Sequence, residues 1–506
     1  MEPVYDLYPL SFYNSLTRTK ERFVPIEEPH VGMYVCGPTV YSDPHLGHAR
    51  TAVAFDIVFR YLRALGYRVR YVRNITDVGH LEDELAEAGE DKIGKRARLE
   101  RLEPMEVVQR YTLSYHDGMR EMNCLPPSVE PRASGHIIEQ IEVVKKIIDA
   151  GLAYEKDGSV YFDLESYVSR GDSAYGTLSG KVFEDLRANT RSTVGAEDKK
   201  SALDFALWKR AEPGHIMHWP SPWSDGFPGW HLECTTMSTK YLGERFDIHG
   251  GGLDLQFPHH EAEIAQNHGA FGKDPANYWI HSNMLTVNGR KMARSLGNFI
   301  TLEQVFSGDH PALERAWDPM VIRFFVLQSH YRSTLDFSNE ALQGAERGLS
   351  RLMTTLAAVE AYLNRRGDTG SAIEPGDEPS DLTRQCWEAM SDDFHTPRTI
   401  AVLFEMAKLF PEAIAAGESL DHAARTFRFF VRDVLGLIPP ATGKVSGGGT
   451  EKLDAAMKIV IDIRRNARSQ RDFQTADMIR DALSEAGIEL LDAPDGSTTY
   501  RVGKPG

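Results

Sequence analysis

Cysteine is scarce in this chain. The four present among 506 residues, Cys36, Cys124, Cys234 and Cys386, lie far apart and form no C-x-x-C pair. That excludes a disulfide scaffold and a zinc ribbon, and points to a reducing compartment. Long apolar runs are missing too: no stretch approaches the roughly 18 residues of a membrane span. The first 22 residues carry charges throughout and have no apolar core, so a secretory leader is not expected. No internal repeat is visible. Positive charge is in deficit, with 57 Lys+Arg against 73 Asp+Glu and a net charge of −16. The deficit counts mildly against nucleic-acid binding, although a global sum does not see a local basic patch. The remainder, 42% hydrophobic and 26% charged, suits a cytoplasmic globular enzyme of three or four domains.

Gly32 to Cys36 reads as a short strand. From Ala49 the apolar residues Val53, Ile57, Val58, Tyr61, Leu62 and Leu65 mark one helix face, and Gly66 sits where such a helix would stop. Tyr67 to Ile75 reads as a second strand. Strand, helix and strand in so short a span predict a βαβ unit and a parallel sheet, with an antiparallel α+β layer as the alternative. Further on, the spacing predicts helices over 107–121 and 137–150, a strand over 160–164, and a polar stretch from Arg187 to Lys200. After Phe306 the chain reads as mostly helical to Leu437, with a loop over 366–380. Pro439 to Gly449 reads as a flexible linker.

Two segments suit a nucleotide. His45-Leu46-Gly47-His48 lies between the first strand and its helix, where unpaired N–H groups and a partial positive charge favour an anion. Gly47 admits close approach of a base or phosphate, and both histidines can donate to phosphate oxygens. Lys291-Met292-Ala293-Arg294-Ser295 follows a strand-like run and the turn pair Asn288-Gly289. Such a basic loop suits a leaving pyrophosphate. Taken alone it equally describes solvated surface, and a histidine pair equally describes a helix cap.

Together, H-x-G-H and K-M-x-[KR]-S on a βαβ framework resemble the class I aminoacyl-tRNA synthetases. Longer strings are similar to the cysteinyl-tRNA synthetase family: Met33 to Tyr41 (MYVCGPTVY), Asn74 to Val78 (NITDV), Gly229 to Cys234 (GWHLEC), Asp247 to Gly252 (DIHGGG), Phe257 to Glu261 (FPHHE), His330 to Ser333 (HYRS) and Asp392 to Pro397 (DFHTP after Asp392). The similarity runs from about Leu7 to Arg501. One departure is Ala293-Arg294, where the family has Ser-Lys; the charge is kept but the donor geometry changes.

The resemblance implies an α/β chain of five parts: a Rossmann-like catalytic first half over 1–115, an inserted domain over 116–225, a catalytic second half over 226–300, a helical stem-contact and bundle region over 301–440, and a C-terminal anticodon-recognition domain over 451–506. It implies His45, His48, Lys291 and Arg294 as catalytic, with Gly47 and Asp254 joining them around ATP. Gly37, Thr39, Thr76 and Trp230 would wall the cysteine pocket. Zinc would sit on Cys36, Cys234, His259 and Glu263, with His249 behind it and Mg²⁺ accompanying ATP. Spacing by itself leaves the cysteines as small core residues and His259-His260 as a satisfied pair. A thiol-seeking metal makes chemical sense, because packing alone separates near-isosteres such as cysteine and serine by only about 10–200-fold. The implied partners are ATP, L-cysteine and tRNA, and the implied state is a monomer. A cysteine ligase acting on an amino sugar would lack the terminal domain, and a non-catalytic tRNA-binding paralogue would have lost these motifs. In the tail, Arg464, Arg468 and Arg471 are spaced to form one helical stripe for tRNA, with Ala456, Ile459, Ile463 and Phe473 expected on an inward face.

Overall fold

Four parallel strands form the central sheet, in the order Ala276–Ser282, Phe246–Gly252, His30–Val35, Arg68–Arg73. The computed structural model describes residues 3–83, 88–171, 175–189, 199–213, 215–368, 381–416, 420–438, 447–469, 472–485, 488–492 and 498–502. Helix Leu46–Ala64 joins the two strands from the first half of the chain, as the βαβ reading expects. Residues 53–62 are all buried, so the helix is packed on every side there, and the apolar stripe read from sequence is one part of that packed surface. It ends at Leu65, and Gly66 takes φ +103, a conformation open to glycine.

Between the two sheet halves lies a four-stranded antiparallel sheet of Ala153–Lys156, Ser159–Phe162, Phe205–Arg210 and Gly226–Pro228. It has its own core, with Trp208, Phe162 and Leu207 fully buried against helix Ile137–Asp149. Most of the polar stretch from Arg187 to Lys200 lies outside the described residues.

The C-terminal half is helical: Pro319–Leu327, Asn339–Arg365, Asp381–Ser391, Thr396–Ala416 and Asp421–Phe429. Most of the expected loop over 366–380 lies outside the described residues. A short strand, Leu335–Phe337, interrupts the expected run of helices, because it pairs in parallel with Leu285–Val287. Helix Leu46–Ala64 is bolted to this half by a buried ionic knot. Asp56 accepts from Arg60 at 2.8 Å and Arg323 at 2.5 Å, and Arg323 also donates to the carbonyls of Leu435 and Met122. Burial alone would raise the Asp56 carboxyl, but the two guanidiniums hold it below its ordinary value.

Met1–Pro440 is one compact unit and Ala441–Gly506 a second. The expected linker is shorter than its composition suggests: Gly447 to Gly449 belong to helix Gly447–Ser469, and 439–446 lie outside the described residues. The inward face of that helix also differs from expectation. Met457, Ile461, Arg464 and Ala467 are buried, whereas Ile459 and Ile463 are more than half exposed. Phe473, also more than half exposed, opens a separate helix, Phe473–Glu485, and the side chain of Ala456 lies outside the described residues. Hydropathy misled here because the long methylene stem of an arginine fills a seam as an apolar side chain does. Arg464 is therefore not part of an exposed stripe; Arg468 is exposed, and Arg471 lies outside the described residues.

Candidate active site

His45 caps helix Leu46–Ala64 with a reciprocal pair of bonds. Its Nδ1 accepts from Gly47 N at 3.1 Å, and His48 Nδ1 accepts from His45 N at 3.2 Å. The rings stack with centroids 3.8 Å apart. Burial, with His48 and Arg294 adding to it, pushes the His45 imidazole down to about 2; burial lowers His48 to about 4. Both rings are thus neutral near pH 7. Because both Nδ1 atoms accept, both protons sit on Nε2, leaving two aligned donors at a helix N-terminus.

The basic loop closes over the same turn. Strands Leu285–Val287 and Arg290–Lys291 form a hairpin about Asn288-Gly289, both with positive φ. Asn298 braces the loop, accepting from Ala293 N at 2.9 Å and donating to Lys291 O at 3.0 Å. The Arg294 guanidinium lies 4.3 Å over the Phe299 ring, which meets the His45 ring edge-on at 4.9 Å. The chain beyond the loop is stitched to the turn by Leu46 N to Ile300 O and Leu302 N to Pro44 O. Lys291 and Arg294 are exposed. Asp254 is also exposed, on the short turn Leu253–Gln256 that follows strand Phe246–Gly252. The structure thus brings His45, Gly47, His48 and Arg294 together.

A second cluster is buried at the carboxyl end of the sheet, where open α/β sheets gather ligands. Cys36 follows strand His30–Val35, Cys234 lies on helix Trp230–Leu242, and His259 and Glu263 are one turn apart on helix His259–Phe271. The four donor atoms all lie within 4.8 Å of one another. Cys36 Sγ is 3.5 Å from Cys234 Sγ and 3.6 Å from Glu263 Oε1, which is 3.2 Å from His259 Nε2. Tetrahedral zinc, with bonds of about 2.0–2.3 Å, holds its ligand atoms about 3.3–3.8 Å apart, so the residues fit the ion. Cys36, His249, His260 and Glu263 form an overlapping set. The two oxygens of Glu263 separate the sets: Oε1 faces Cys36 and His259, while Oε2 is taken by His249 Nε2 at 2.8 Å. His249 thus braces the carboxylate from behind, stacked on Trp279 at 4.4 Å. His231 Nδ1, 2.9 Å from His259 Nδ1, does the same for the imidazole. Burial, then Cys234 and Glu263, pushes the Cys36 thiol up, and burial lowers His259. A divalent cation reverses that logic by favouring the thiolate.

Trp230 packs against His259 at 4.4 Å, so it borders the metal ligands. His80 also stacks on it, parallel at 4.3 Å. Lys92 Nζ, a pure donor, meets His80 Nε2 at 2.7 Å, so the His80 proton is on Nδ1, 2.5 Å from Thr39 Oγ1. Thr39 and Thr76 form a bridge, and the Thr76 hydroxyl donates to the buried Glu233 at 2.9 Å. Gly37 N donates to Asn74 Oδ1 at 2.8 Å, and a Cβ on Gly37 would run into the Asn74 carbonyl oxygen. His80, Glu233, His231 and Asn74 escaped the sequence reading. His80 stands alone in a Gly-His-Leu context, and the others lay inside quoted strings without a spacing that marks a role.

Comparison with known proteins gives this arrangement a family. Residues 22–347 match the tRNA synthetases class I (C) catalytic domain, and 387–439 match the DALR domain. The cysteine–tRNA ligase of Porphyromonas gingivalis is 54% identical, covering 97% of this chain and 99% of the relative. That of Bacteroides fragilis is 55% identical over 96% and 98%. Among solved structures, methionyl-tRNA synthetase of Mycobacterium tuberculosis with methionyl-adenylate shares the fold at 14% identity and TM-score 0.53, covering 81% of this chain and 90% of that one. A LeuRS–tRNA–LeuAMS complex from Agrobacterium radiobacter K84 does so at 12% and 0.58, covering 82% and 85%. With its stacked histidine turn, basic hairpin and parallel sheet, and with half its residues shared along nearly the whole length, this chain belongs to the cysteine–tRNA ligase family of class I synthetases.

Proposed function

We propose that the chain activates L-cysteine with ATP and transfers it to the 3′-terminal adenosine of a cysteine tRNA. The observation that carries the cysteine assignment is the buried Cys36–Cys234–His259–Glu263 quartet beside Trp230. Zinc bound there would take the substrate thiolate and leave a hydroxyl largely protonated and weakly held. Selection of 10⁴–10⁵ against serine corresponds to about 5.5–7 kcal/mol, more than packing provides. Thr39, Thr76, Trp230 and the backbone at Gly37 bound the pocket.

The substrate carboxylate attacks the α-phosphorus of ATP and pyrophosphate leaves. A carboxylate needs no general base, so the enzyme orients the reactants and stabilises charge. His45 and His48 donate from Nε2 to the phosphates; Lys291 and Arg294 hold the departing pyrophosphate, with Mg²⁺ accompanying ATP. Asp254 binds the ribose hydroxyls. The acyl group then passes to the 2′-hydroxyl of the terminal adenosine. The enzyme acts as a cytoplasmic monomer; among the described residues no helix is long and apolar enough to cross a membrane.

Cysteine-dependent ATP–pyrophosphate exchange, followed by charging of tRNA, tests this reading. Exchange supported equally by serine, or activation without transfer to tRNA, would overturn it.

A further inference from the structure

The two arms of the nucleotide site come from distant parts of the chain, and one joint between them is buried. Arg50 lies two residues beyond His48 and is 2% exposed. Its Nη1 donates to Val326 O at 3.1 Å and Ser329 O at 3.4 Å; its Nη2 donates to His330 O at 2.6 Å and Ser333 O at 3.0 Å. These carbonyls end helix Pro319–Leu327 and line the turn after it, where a cation also meets the negative end of the helix dipole. Both Nη atoms of the guanidinium are taken up by this turn.

From Ser333 the chain runs into strand Leu335–Phe337, which pairs with Leu285–Val287 of the basic hairpin. There Asp336 Oδ1 accepts from Thr286 Oγ1 and from Gly289 N, each at 2.7 Å, and Asn288 N donates to Phe337 O at 3.0 Å. Asp336 thereby pins the tip of the hairpin that carries Lys291. The path from His48 to Lys291 is continuous: Arg50, the 329–333 turn, Asp336, the Asn288-Gly289 tip. A hinge-like loop that must close on a phosphate gains from such an anchor, since a misplacement of about 1 Å costs about 10²-fold.

We propose that Arg50 and Asp336 are positioning residues for adenylate formation, which set the Lys291–Arg294 loop over the His45–His48 turn. The inference rests on the function proposed above. Neither residue touches the phosphates, and both act through the loop.

The test uses the full-length protein and measures pyrophosphate exchange, ATP affinity, zinc content and thermal midpoint. Asp336 is exposed, so Asp336→Ala leaves the core intact. It should lower kcat/KM for ATP about 10-fold while KM for cysteine and zinc content stay put, and Asp336→Asn, which keeps an acceptor oxygen, should restore most of that. Arg50→Lys offers one donor nitrogen in place of a fork and should act in the same direction. In a Lys291→Ala/Arg294→Ala background, Asp336→Ala should cost no more than about 2-fold further, because the charges it positions are gone. Additive losses, or equal losses toward ATP and cysteine, would overturn the proposal and mark both residues as merely structural; so would unchanged kinetics. A wild-type protein without cysteine-dependent exchange would instead overturn the proposed function, and weaker ATP binding by Asp336→Ala would still support the positioning role.

Discussion

The sulfur atoms of Cys36 and Cys234, 198 residues apart in the chain, lie 3.5 Å from each other. One follows a strand of the first sheet half and the other sits on a helix of the second, so the pair forms only when both halves are assembled. Cys36→Ser should therefore lose both bound zinc and cysteine activation, while Cys386→Ser, in the helical half, should keep both. Metal analysis of the purified variants beside exchange rates checks this; full zinc content with normal exchange in Cys36→Ser contradicts it. Stripping the wild-type protein with a chelator should abolish exchange, and zinc should restore it.

The guanidinium of Arg294 is held over Phe299 rather than buried in an ion pair. Arg294→Ala should slow adenylate formation by about 10²–10³, the usual cost of one transition-state charge contact. Arg294→Lys should be tolerated better, because charge matters more here than the fork. Equal exchange rates for the two variants would show that the loop does not act through this charge.

Acid should loosen the nucleotide turn. His48 Nδ1 accepts a hydrogen bond, and protonation would turn that acceptor into a donor. Its folded value of about 4 lies below that of an unfolded histidine, near 6.5, so the unfolded state binds more protons between them. This contribution to stability is complete above about pH 6.5 and is lost as pH falls toward 4. His48→Asn, which keeps an acceptor and does not titrate, should show a smaller drop in urea midpoint between pH 7 and pH 5 than the wild type. An identical drop would place the acid sensitivity elsewhere.

Arg323 is fully buried and ion-paired to Asp56. Arg323→Met leaves the buried carboxylate with Arg60 alone of its two guanidiniums and should cost about 3–5 kcal/mol in denaturant titration. Adding Asp56→Asn should recover part of the loss. Strictly additive losses would show that the two charges are not coupled.

Removing residues 441–506, a compact unit of its own, should leave cysteine-dependent exchange near normal and sharply reduce charging at limiting tRNA. Arg468→Ala should flatten the salt dependence of tRNA binding without unfolding the unit, whereas Arg464→Ala should destabilise it. Full-rate charging by the truncated enzyme at limiting tRNA would remove this unit from tRNA recognition.

The strand–helix–strand core was legible because period and punctuation agree: the stripe from Val53 to Leu65 and the stop at Gly66 are local signals. The His45–His48 turn was legible for the same reason. The cysteine–histidine–glutamate quartet was legible only through family resemblance, since no local pattern links Cys36 to Cys234. Asp393 shows what local reading misses: its carboxylate binds Tyr331 and Arg332 while its backbone meets Ser11 and His330, contacts spread over the whole first unit. The tail fails in another way, because hydropathy ranks Ile459 and Ile463 above Arg464, and packing did not follow that rank.

The close crossing of Gly37 over Asn74 bears on how freely the pocket can drift over generations. A wall made of main chain offers no side chain for mutation to enlarge, shrink or charge. On the function proposed above, heritable variation in what the pocket admits is channelled into Thr39, Thr76, Trp230 and the His80 ring stacked on Trp230. A library randomised at those four positions should sample nearly all of the accessible change in amino-acid preference, while one at Gly37 should return mostly dead clones.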